Sequence, residues 1–113
     1  MVTSIKNWTR DEFKAYILLY AAYCDQIENR KEKSYILSKV DRKTYEDIHY
    51  ELKADNDYQS IQKIIAALER FDYSEEDLQR LSAEIMELFL ADEKFDSVEQ
   101  CVYMMLNKII KKN

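Results

Sequence analysis

Trp8-Thr9-Arg10-Asp11-Glu12-Phe13-Lys14-Ala15-Tyr16-Ile17-Leu18-Leu19-Tyr20-Ala21-Ala22-Tyr23-Cys24 reads as a helix that carries its own start signal. Thr9 and Glu12 stand at the two reciprocal positions of a capping box, and Trp8 and Phe13 at those of a hydrophobic staple. Phe13, Tyr16, Ile17, Tyr20 and Cys24 then recur at i, i+3, i+4, i+7 and i+11, the helical period. Leu18, Leu19, Ala21 and Ala22 fill the opposite side. A helix apolar on both sides belongs at the centre of a fold, buried nearly all round.

The rest of the chain is punctuated in the same way. A second helix is expected from about Asn29 to Lys39, with Asn29 as its cap and Glu32 three residues on. Asp41 caps a third, whose inner face is Tyr45, Ile48 and Leu52. Asp55-Asn56-Asp57 makes the next break, because Asn and Asp tolerate left-handed turns best among residues with a side chain. The fourth helix presents Tyr58, Ile61, Ile64, Ile65 and Leu68. The fifth opens at Ser74, with Tyr73 and Leu78 as a staple, and shows Leu78, Leu81, Ile85, Leu88 and Phe89. The sixth starts near Asp96 or Ser97 and carries Cys101, Val102, Met105, Leu106 and Ile109. Its end is marked by Lys108, Lys111 and Lys112, cations that suit the negative end of a helix dipole.

Composition supports the same reading. The 113 residues include neither Gly nor Pro, where average usage would supply about eight and six. Tight β-hairpins draw on Gly for positive φ, whereas helices joined by polar links do without it. The expected fold class is therefore all-α, a single compact bundle of about six helices over residues 1–113. At this length roughly two-thirds of the unfolded surface is buried, enough for one core without metal or disulfide staples. The missing Gly also excludes a phosphate-cradling P-loop, a dinucleotide fingerprint and an EF-hand loop, each of which needs Gly at fixed positions.

No enzyme chemistry can be assembled from the remaining residues. His49 is the single histidine, one turn after Tyr45, without the N/S ligand spacing of a zinc site or a nucleophile partner; it reads as a surface or half-buried helix residue. Cys24 and Cys101 read as reduced, buried small hydrophobes. Met86, Met104 and Met105 read as fillers of core gaps. Nine tyrosines are present, and Tyr16, Tyr20 and Tyr23 share one face of the first helix, expected at the core edge with their hydroxyls in water.

The net charge is −5 and unevenly spread. Residues 1–56 balance, while Glu69 to Glu99 holds eleven acidic residues against Arg70, Arg80 and Lys94. Such a surface repels nucleic acid and anionic membranes and suits cations or a basic protein partner. The apolar run Ala15 to Cys24 is too short to span a bilayer, and no signal-peptide layout surrounds it, so a cytoplasmic location without membrane insertion is expected.

The two ends of the chain superpose on a shift of 68 residues. Phe13 falls on Leu81, Ile17 on Ile85, Tyr20 on Leu88 and Ala21 on Phe89. Beyond the break, Ile27 falls on Phe95, Glu28 on Asp96, Asn29 on Ser97 and Tyr35 on Tyr103. Residues 9–40 and 77–111 thus read as a pseudo-repeat: a long helix, an acidic link with one apolar residue, and a capped second helix. The links are Cys24-Asp25-Gln26-Ile27-Glu28-Asn29 and Asp92-Glu93-Lys94-Phe95-Asp96-Ser97.

Ala91-Asp92-Glu93-Lys94-Phe95-Asp96-Ser97-Val98-Glu99 resembles the Ala-Asp-Gly-x-(apolar)-(Ser/Asp)-x-x-Glu link of the tellurite-resistance TerB family, with Glu93 in place of the usual Gly. The resemblance spans about residues 9–110. It implies a bacterial, non-enzymatic, stress-associated domain of two helix pairs, with acidic links proposed to bind metal ions and with membrane-linked partner complexes. Asp92, Asp96 and Glu99 map onto the family's acidic positions, and Asp25 and Glu28 follow through the pseudo-repeat.

The same carboxylates have two physical readings. Folded into a corner, Asp92, Asp96 and Glu99 could offer oxygen ligands to Ca²⁺, Mg²⁺ or Mn²⁺. Asp96 with Glu99 is equally an N-cap and capping-box pair. A different function class also fits the charge: an acidic helical adaptor or immunity-type inhibitor of a basic protein.

Overall fold

A computed structural model describes residues 8–23, 30–91 and 97–111. The order of elements is α1 (Arg10–Ala22), α2 (Arg30–Lys39), α3 (Arg42–Ala54), α4 (Asp57–Phe71), α5 (Glu75–Leu90) and α6 (Ser97–Lys111), with no strand among the described residues. The radius of gyration is 12.9 Å, the size expected of one packed body of about 100 residues.

Local chemistry sets the helix starts. At α1, Thr9 accepts from the Glu12 N–H while the Glu12 carboxylate accepts from the Thr9 N–H at 2.8 Å, a complete capping box. Asp41 caps α3 through the Thr44 N–H at 2.7 Å, and Ser74 with Asp77 boxes the start of α5. The break at residues 55–57 works differently from its expected mechanism. Asn56 is extended (φ −88°) and forms a capping box with Gln59, so the residues tolerant of left-handed turns are used there as a cap. The left-handed residue lies instead at Asp72, φ 49°, which ends α4.

Helix α1 is the axis of the molecule. Phe13, Ala15, Tyr16, Ile17, Leu18, Leu19, Ala21 and Ala22 are buried, and each of the other five helices packs on it. The inner faces of α3 (Tyr45, Ile48, Leu52) and α5 (Leu78, Leu81, Ile85, Leu88, Phe89) are buried as their periodicity requires. Trp8 stacks on Phe13 at 6.2 Å, the contact of the staple. Two arginines then lace the start of α1 to the end of α4. Arg70 donates to the Trp8 carbonyl at 2.7 Å, and Arg10 donates to the Phe71 carbonyl at 3.0 Å.

Two faces are rotated from their expected settings. On α4 the inward residues are Ser60, Lys63, Ile64, Ala67 and Leu68, while Tyr58 is 71% exposed. On α6 the fully buried residues are Leu106 and Ile110, with Val102, Met105 and Ile109 partly buried. Met104 is 63% exposed and is no core filler. Cys101 is a free, exposed thiol and not a buried hydrophobe. The cause on α6 is that its apolar residues cover more than one stripe, so period alone leaves the rotation undetermined. Cys24 lies outside the described residues.

Candidate functional site

The acidic links were the sequence's candidate site. Asp25, Glu28, Asp92 and Asp96 lie outside the described residues, so their placement carries no argument. Glu99 is described. It is the third residue of α6 and only 4% exposed. Glu32, which sequence reasoning treated as a capping partner alone, is the third residue of α2 and 2% exposed. Both helices that follow an acidic link therefore draw a glutamate inward in their first turn. Among the described residues, no group of three or more His, Cys, Asp or Glu is arranged to hold a metal ion.

A second polar cluster, which the sequence did not announce, sits where α1, α3 and α4 meet. Lys63 is 4% exposed. Its Nζ lies 2.8 Å from Asp55 Oδ2 and 2.9 Å from Glu51 Oε2. Tyr16, fully buried, donates its hydroxyl to Asp55 at 2.6 Å. That proton being used, Ser60 Oγ, 3.0 Å away, donates back to the Tyr16 oxygen. Trp8 Nε1 donates to Glu51 at 3.4 Å. Burial disfavours the charged form of Lys63, but the two carboxylates outweigh it and hold its pKa above the ordinary lysine value. Burial, then the bond to Asp55, push the Tyr16 hydroxyl far above the ordinary tyrosine value. Every charge in this cluster faces an opposite charge or a donor, the pattern of a structural clamp.

Tyr20, Tyr23 and Tyr35 also place their hydroxyls on polar side chains, where the sequence led one to expect those of Tyr20 and Tyr23 in water. Tyr20 donates to Asp57 at 2.6 Å, and Tyr35 donates to Glu87 at 2.6 Å. Tyr23 Oη lies 3.1 Å from Nε2 of His49, whose ring stacks on Tyr45 with an interplanar angle of 11°. His49 is half-buried.

Between α1 and α5 a cleft of about 160 Å³ is lined by Arg10, Lys14, Tyr73, Asp77, Arg80 and Glu84, among others. Its three cations are matched in number by the carboxylates of Asp11, Asp77 and Glu84: Arg10 and Arg80 pair with Asp77, and Lys14 with Glu84 at 3.4 Å. Balanced pairs of this kind tie helices together and leave no surplus charge for a ligand.

No helix of the described residues is long and apolar enough to cross a membrane. No protein-family model, no curated protein and no solved structure matches the chain.

Proposed function

We propose that this chain is a non-catalytic, TerB-like helical module whose two acidic links take up a hard divalent cation such as Ca²⁺, Mg²⁺ or Mn²⁺, in a stress-associated role. The observation that supports this reading is the shared burial of Glu32 and Glu99, each in the first turn of the helix after a link. A carboxylate drawn inward in the turn that follows each link in the sequence is an oxygen donor of the kind that hard cations take. Capping alone also turns a glutamate back toward the chain, so the test must separate the two.

A thermal melt of the chelator-treated protein with each cation does so. A ligand that binds only the folded state at 100 times its dissociation constant adds about 2.7 kcal/mol, worth several degrees in a domain of this size. A shift with one cation that disappears in Asp92→Asn/Asp96→Asn, but persists in Glu75→Gln, is the expected result. No shift with any cation overturns the reading. The first turn of α5, with Glu75, Glu76 and Asp77 together, then favours the second reading, an acidic adaptor or immunity-type inhibitor. That reading fails in turn if no basic protein co-purifies at low salt.

A further inference from the structure

We propose that the outer face of the α5–α6 hairpin is a docking surface for a second copy of this chain. Ser82 faces α6 from the middle of α5. It bonds to Asn107 at 2.6 Å and lies 3.3 Å from the Tyr103 hydroxyl, which sets the two helices side by side in the antiparallel register of a hairpin. Beside this seam, Gln79, Ala83, Met86 and Leu90 form one row on α5 at i, i+4, i+7 and i+11. Gln100, Met104 and Asn107 form the neighbouring row on α6. Leu90 is 53% and Met104 63% exposed, Ala83 is exposed and Met86 half-buried. These two rows hold no charge, in a chain with 35% charged residues.

The charges beyond the rows point to a copy of the chain as the occupant. The first turn of α5 presents the exposed carboxylates of Glu75 and Glu76. The last turn of α6 carries the exposed Lys108. In an antiparallel hairpin these turns lie at the same end. A two-fold axis running along the hairpin lays α5 of one copy over α6 of the other. The acidic first turn then meets Lys108 of the other copy twice, with helix dipoles opposed in the favourable sense. Leu90, Met86 and Ala83 cover Met104 in the middle. A neutral strip is also where two chains of net charge −5 can approach without like charges in contact. Helices of 16 and 15 residues offer roughly 500 Å² per copy, the low end for specific interfaces, so the dimer forms in the micromolar range or weaker.

Sedimentation velocity from micromolar to millimolar protein, with reductant to keep Cys101 from cross-linking, tests this. The expected result is a monomer–dimer equilibrium that salt weakens and that Met104→Glu abolishes with the melting temperature unchanged. Glu75→Lys and Lys108→Glu should each weaken self-association by about tenfold, and mixing the two variants should restore it, because the two-fold arrangement pairs each new charge with its complement. A monomer at every concentration, or a dimer indifferent to Met104→Glu and to the charge exchange, overturns the proposal.

Discussion

Lys63 on α4 holds Asp55, eight residues earlier at the end of α3, at 2.8 Å with the lysine side chain only 5% exposed. The contact closes the α3–α4 corner over Tyr16 of α1, so three helices depend on one pair of charges. Removing Asp55 leaves the ammonium with Glu51 alone and deprives the Tyr16 hydroxyl of its acceptor. Asp55→Ala should cost about 3 kcal/mol, the low end for breaking a buried pair because Glu51 remains. Glu51→Ala, at a position 23% exposed, should cost about 1 kcal/mol. Urea midpoints at constant m-value check the ranking, and equal costs would contradict the clamp.

The Tyr16 hydroxyl is bonded on both sides and fully buried. Tyr16→Phe should therefore destabilise by about 1–2 kcal/mol. Combined with Asp55→Ala it should cost less than the sum of the two, since they share one bond. The pH dependence has a definite sign. The folded pKa of Tyr16 is raised, by burial first and Asp55 second, and those of Tyr35 and Tyr73 are raised too. Their contribution is complete below the unfolded tyrosine value of about 10 and is lost as pH rises above it. An alkaline melt series should show this loss, and Tyr16→Phe should flatten it.

The opposite limb belongs to the helix starts. Asp41 and Asp77 both have lowered pKa values, chiefly from the side-chain bonds to Thr44 and Ser74 and then from the bonds with those residues' backbones. A lowered folded pKa means stabilisation present above the unfolded aspartate value, about 3.9, and lost as pH falls through the folded one. Asp41→Asn and Asp77→Asn should reduce the slope of melting temperature against pH below about pH 4, because neither can be protonated. A slope equal to that of the parent would mean that other carboxylates govern the acid limb.

Helix starts were legible because their signals are local. Thr9 with Glu12, Asp41, and Ser74 each report a boundary within four residues. The central place of α1 was legible too, since Leu18 and Leu19 stand opposite Phe13 and Ile17. Lys63 was not, because its burial depends on Glu51 and Asp55 arriving from another helix. Met104 and Cys101 were misjudged for a related reason: α6 has apolar residues on more than one side, and its neighbours choose which go inside. Of the candidate site, only Glu99 is on a described element, and its burial is a tertiary fact that the spacing Asp96-x-x-Glu99 does not contain.

The ring cluster at the head of α1 sets the last expectation. Phe13 is fully buried and lies 6.2 Å from Trp8, 6.0 Å from Phe71 and 5.8 Å from Tyr73, the last edge-on. Tyr73 in turn carries the Arg10 guanidinium on its face at 4.4 Å. Phe13→Ala removes the ring that joins the start of α1 to the α4–α5 turn, and should cost about 3–5 kcal/mol. Phe13→Leu keeps most of the volume and should cost less than about 1.5 kcal/mol. Trp8 is the chain's one tryptophan, 4% exposed and 4.8 Å from Tyr16, so its emission reports on the same cluster. In the native state of Phe13→Ala the emission should move to the red as water reaches the indole, while that of Phe13→Leu stays in place. If both variants lose equal stability without a change in emission, the cluster is not the seam that holds α1 to the α4–α5 turn.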